Sequence, residues 1–100
     1  MNQVRITALR RTEYPDLMEK FENPIEHSCD TELGQVWICD GWNKPEGLCG
    51  AAWESMQSFV RALGTGGGDC YDGWMKDPHT ALISCYDGFR PVYFLLVSIK

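Results

Sequence analysis

One hundred residues, 44% of them hydrophobic and 12% aromatic, make one domain with a small core, hiding somewhat over ~60% of its unfolded surface. A net charge of −5 and a pI near 4.8 argue against a nucleic-acid-binding surface, which needs clustered Lys and Arg. The only basic cluster, Arg5, Arg10 and Arg11, is too small for that role.

Val4-Arg5-Ile6-Thr7-Ala8 alternates apolar and polar residues and predicts a half-buried first strand. In the next segment Leu17, Met18 and Phe21 fall at helical spacing and Pro15 suits a first turn. A short helix is expected there, ending before Asn23-Pro24. Residues 22 to 33 read as an irregular connection holding Glu26, His27 and Cys29. Residues 34 to 40 predict a second strand, with Trp37 and Cys39 on one face and Val36 and Ile38 on the other.

The main helix follows. Cys49, Ala52, Trp53, Met56, Phe59, Val60 and Leu63 form one continuous apolar stripe, with Pro45 at its approach and Gly64 expected as its C-terminal cap. Residues 64 to 69 are glycine-rich and predict a flexible loop. They follow a helix instead of a strand and lack the Gly-Lys-Ser/Thr of a phosphate cradle. Two apolar runs then flank Cys85-Tyr86-Asp87-Gly88-Phe89-Arg90-Pro91 and predict a hairpin joining residues 80–86 to 91–99. The resulting order, β-α-β-α-β-β, is that of a single α+β domain spanning residues 1–100, with the long helix packed on a mostly antiparallel sheet.

The last strand, Val92 to Val97, is apolar on both faces, and one helix covers only one of them. A homo-oligomer is therefore expected, and Pro91 is expected to confine that end of the strand to an edge or a bulge. No apolar run approaches the ~20 residues of a membrane span, and Met1 to Arg5 has no charged segment leading into an apolar one. The five cysteines are irregularly spaced, unlike a secreted disulfide framework. A cytoplasmic chain without a membrane or nucleic-acid partner is expected.

A hairpin turning on Asp87-Gly88 puts Cys85 directly opposite Arg90 whether its loop has two or four residues, with Cβ atoms ~4.5–5.5 Å apart. A guanidinium at that range favours a thiolate. Cys49, in the first turn of the long helix, meets unpaired N–H groups that favour negative charge. Both cysteines also suit plain packing, since free cysteine is among the most buried residue types. If helix and hairpin pack together, Cys49 and Cys85 approach each other, and Cys29 or His27 is placed to complete a site for a transition-metal ion such as zinc. Cys39 and Cys70 read as incidental.

Two motifs carry a resemblance. Lys44-Pro45-Glu46-Gly47-Leu48-Cys49 before Ala52-Trp53, and Cys85-Tyr86-Asp87-Gly88-Phe89-Arg90-Pro91-Val92, resemble a group of short, functionally uncharacterised prokaryotic proteins of about 100 residues. These carry a Lys-Pro-Glu-Gly-Phe-Cys helix entry and a Cys-x-Asp-Gly-Leu-Arg-Pro-Val hairpin. The resemblance spans nearly the whole chain. It singles out Cys29, Cys49, Cys85 and Arg90 and implies no reaction. Two functions are compatible with the sequence. One is a binding or accessory protein holding a metal ion or small anion at a cysteine/arginine site. The other is a thiol enzyme using Cys85 or Cys49 as nucleophile or redox centre, with Arg90 stabilising an anion.

Overall fold

Alternation decides which side of each strand is buried. In the computed structural model, which describes residues 1–25, 29, 31–70 and 72–99, strand β1 (Gln3–Arg11) buries Val4, Ile6 and Ala8. It runs three residues beyond the predicted alternation because a bulge at Leu9 lets pairing resume at Arg10. Helix α1 (Pro15–Phe21) follows, then β2 (Val36–Cys39), which buries Trp37 and Cys39 and turns Val36 and Ile38 outward as the pattern predicts. Helix α2 (Gly50–Gly64), β3 (Thr80–Ser84) and β4 (Val92–Ile99) complete an α+β chain.

The four strands form one fully antiparallel sheet in the order β2-β1-β4-β3. α2 lies on one face, and its stripe of Ala52, Trp53, Met56, Val60 and Leu63 meets Ile6, Ala81, Phe94 and Leu96 in a single core. Each large side chain fully buried there stabilises the fold by about 1.5–3 kcal/mol over leaving it exposed. The helix end is fixed by a close approach. Gly64 is not the cap but the last helical residue, with Thr65 capping, and a Cβ on Gly64 would run into the backbone of Gly41. The Asn2 N–H also donates to the Gly64 carbonyl at 2.7 Å. No helix among the described residues is long and apolar enough to cross a membrane.

Two expectations are corrected. β4 is an interior strand, hydrogen-bonded to β1 and β3. Pro91 stands just before it, where its missing N–H is not needed, and its carbonyl accepts from the Thr12 N–H at 3.2 Å. The short helix α1 forms where expected and ends before Asn23-Pro24; its spacing leaves open how much it buries, and it buries none of its residues. The second correction is the hairpin register. Ser84 pairs with Tyr93, and the Cys85 N–H donates to the Val92 carbonyl at 3.0 Å, so Cys85 stands opposite Val92 and not Arg90. The two-residue turn fails because Gly88 is not at positive φ, which a type I′ turn requires at both central positions. Instead the Asp87 carboxylate accepts from the backbone N–H groups of Phe89 at 2.8 Å and Arg90 at 3.2 Å. A side chain that bonds its own following backbone builds a wider loop.

Candidate thiol site

The Lys44–Cys49 motif is a device for starting α2 at one place. The Leu48 N–H closes a turn onto the Pro45 carbonyl at 3.4 Å. Lys44 Nζ donates to the Leu48 carbonyl at 2.6 Å, and Leu48 itself is buried. Gly47 takes φ +84° beside Trp37, a conformation costly for any residue with a Cβ. Cys49 then becomes the N-cap of α2. It stands exposed at the head of the stripe, not packed inside it, and its side chain makes no capping hydrogen bond.

The β3–β4 loop brings the second thiol. It is tied to the start of α1 by the Tyr14 N–H donating to the Phe89 carbonyl at 2.9 Å, and the Val92 N–H donates to Cys85 Sγ at 3.4 Å. The third thiol arrives from the connection after α1. Cys29 Sγ donates to Thr31 Oγ1 at 3.2 Å and accepts from the Thr31 N–H at 3.4 Å. Arg11 Nη2 holds that segment by donating to the Thr31 carbonyl at 3.0 Å.

Cys29, Cys49 and Cys85 line one pocket of about 160 Å³ with Thr31, Ala51, Ala52, Asp87, Arg90, Val92 and Phe94. Its walls are mostly apolar and its polar edge is an ion-pair cluster. The Arg90 guanidinium bonds Asp87 at 3.0 Å and Glu22 on its other side. Arg90 and Glu22 are only 12% and 17% exposed, so this pairing is largely withdrawn from water. The hydrogen bond to Glu22 above all, then the charges of Asp87 and Glu22, outweigh burial and hold Arg90 protonated beyond its usual range. Burial alone would raise the Asp87 pKa. The N–H groups of Phe89 and Arg90 and the Arg90 charge overcome that and keep its carboxyl below the ordinary value.

The remaining cysteines are elsewhere. Cys39 is buried, donating to the Asn43 carbonyl at 3.0 Å and accepting from the Gly41 N–H at 3.4 Å. Burial, aided by the Asp40 charge, pushes its thiol pKa up. Burial first and the Asp69 charge second do the same to Cys70. All five cysteines are free.

Two parts of the site differ from the sequence reading. Arg90 lines the pocket but spends its charge on two carboxylates. A metal set is not assembled either: among the described residues no three His, Cys, Asp or Glu side chains gather closely enough to hold an ion. Cys29, Cys49 and Cys85 share a cavity without forming a zinc ligand set. His27 lies outside the described residues. Sequence reading missed Glu22, Thr31 and Arg11. Nothing local marks Glu22, which meets Arg90 across 68 positions. Thr31, two residues after Cys29, is the one with a readable signal, because Ser and Thr commonly bond side chains and backbone two positions away. Comparison with protein-family models, with curated proteins and with solved structures finds no match to this chain.

Proposed function

We propose that this chain is a small cytoplasmic binding protein whose site is the Cys29/Cys49/Cys85 pocket, taking a compact, thiol-seeking ligand with an apolar body. The observation that carries this reading is the convergence of three free cysteines from three separate segments on one cavity of about 160 Å³. Chance packing of buried cysteines favours closed surroundings, as at Cys39, whereas Cys49 is exposed at the pocket mouth. Charge balance favours a neutral ligand over a small anion. Arg90 already faces Asp87 and Glu22, so the cluster is net negative and an anion would have to displace a carboxylate. Arg90 is a positioning residue that holds the loop bearing Cys85. The irregular spacing of the five cysteines, unlike a secreted disulfide framework, supports a reducing compartment.

The exposed N-cap position of Cys49 favours a second reading, a thiol enzyme of redox type. There two pocket thiols reduce an external small disulfide. The two protein sulfurs form one S–S bond, the external bond breaks, and its halves leave as two thiols carrying the two protons.

Limited alkylation with iodoacetamide, mapped by peptide mass spectrometry, tests the pocket. The first carbamidomethyl group is expected at Cys49. Filling the shared cavity, it should slow modification of Cys29 and Cys85 without affecting Cys70, which lies outside it, while buried Cys39 stays unmodified until unfolding. Independent modification of Cys29, Cys49 and Cys85 would refute a shared site. Treatment with a small disulfide separates the two functions. Loss of two hydrogens within the chain, without a retained adduct, supports the redox reading, and a stable mixed adduct supports binding.

A further inference from the structure

Helix α1 has seven residues, buries none of them, and has no described helix or strand packed against it. So short a helix is not stable in water on its own, because nucleation costs more than a few hydrogen bonds return. Among the described residues two hydrogen bonds tie it to the rest of the fold, one at each end. At its start the Tyr14 N–H donates to the Phe89 carbonyl at 2.9 Å. At its end the carboxylate of Glu22, the C-cap residue, accepts from the Arg90 guanidinium. Both partners belong to the β3–β4 loop, which carries Cys85 into the thiol pocket.

The two carboxylates on Arg90 are not equivalent. Asp87 is built into the loop, because it also accepts from the backbone N–H groups of Phe89 and Arg90. The Glu22 carboxylate has no hydrogen-bond partner besides Arg90 among the described residues, and it is carried at the end of a helix that buries nothing. Elements with little buried surface are the first to open. The carboxylate that can leave the guanidinium is therefore Glu22. Its departure has a chemical consequence, since Arg90 lines the pocket together with the three thiols. With Glu22 in place, one guanidinium faces two carboxylates and the cluster is net negative. Without it the cluster is neutral, and one edge of the guanidinium is free at the pocket.

We propose that Glu22 is an electrostatic gate on the thiol pocket, a specificity-determining residue carried at the end of α1. While it holds Arg90, the pocket favours neutral ligands. When the end of α1 lifts, Arg90 becomes the anchor for a ligand that joins a thiol-reactive centre to a carboxylate. The ligand's carboxylate then takes the place of the Glu22 carboxylate on the same guanidinium, whose planar fork suits such an exchange. A ligand of this class shifts the population toward the open form by its preference for it. The gate rests on the pocket reading above and adds to it what selects the charge of the ligand.

Competition between iodoacetamide and iodoacetate, which differ by one negative charge at nearly equal size, tests the gate on the intact chain. Peptide mass spectrometry gives the iodoacetate-to-iodoacetamide ratio at each cysteine, referred to the same cysteine in the urea-unfolded chain. In the unaltered chain the ratio at Cys49 and Cys85 should be low. Glu22→Gln, which keeps the shape and removes the charge, should raise it at Cys85 by about tenfold, the effect of one nearby unit charge across a partly screened path. Hydrogen exchange of the α1 amides should quicken in the same variant. Glu19→Gln, which removes an α1 charge that does not pair with Arg90, should change neither. An unmoved ratio in Glu22→Gln overturns the gate, and so does an equal rise in Glu19→Gln, the mark of a general field. Three thiols that iodoacetamide modifies independently would remove the pocket itself, and the gate with it.

Discussion

Asp87 shapes the β3–β4 loop more than its neighbouring glycine does. Its carboxylate caps two backbone N–H groups and grips the Arg90 side chain, and this choice leaves Cys85 opposite Val92 instead of Arg90. Asp87→Ala should destabilise the fold by about 1–3 kcal/mol, the range for losing hydrogen bonds to a charged acceptor, measurable by urea unfolding. The pH dependence has a definite sign. Asp87 and Asp40 are both held below the ordinary carboxylate pKa, so their contribution is fully present above the unfolded value of about 4. It is lost as pH falls through the lower folded values. Stability should be flat from about pH 5 upward with respect to these groups and decline on acidification. In Asp87→Ala that decline should be shallower. The two cysteines and the arginine of this region were legible in the sequence, but their facing was not. Asp-Gly supports either a backbone turn or a side-chain cap, and the outcome depends on Glu22 and the Tyr14 backbone N–H arriving from far along the chain.

The two helices show what periodicity reveals and what it leaves out. α2 is legible because its stripe is long enough to specify both a helix and its buried face. α1 has the same spacing over a single turn or two, and spacing does not say whether a face finds a cover within its own chain. The stripe also misleads at its ends. Cys49 caps the helix instead of packing, and Gly64 is selected by contact with Gly41 instead of by a cap geometry. Gly64→Ala tests this distinction. Helix propensity alone would make the change favourable by up to about 1 kcal/mol. The added methyl would strike the Gly41 backbone, and overpacking of that kind costs about 1–3 kcal/mol. A lowered midpoint of thermal unfolding is expected, whereas Gly50→Ala, which meets open space at the other end of the helix, should be neutral or stabilising.

At the scale of the whole molecule, α+β class and strand number follow from the sequence, but strand order does not. The first and last strands pair at the centre of the sheet, a contact between chain ends that no local pattern announces. That topology builds the site. With β4 interior, Val92 and Phe94 form the pocket floor, and the N-terminus of α2, the β3–β4 loop and the segment after α1 close around it. The three thiols become neighbours only through this arrangement, although they are 20 and 36 positions apart along the chain. Cys39 and Cys70 fall outside it. The most direct measurement of that claim is reaction with phenylarsine oxide, whose trivalent arsenic bridges two adjacent thiols with loss of one water. One equivalent should bind the folded chain, and mass mapping should place it on two of Cys29, Cys49 and Cys85, with double Cys→Ser substitution within that trio abolishing the adduct. No adduct on the folded chain, or one that involves Cys39 or Cys70, would contradict the three-thiol pocket.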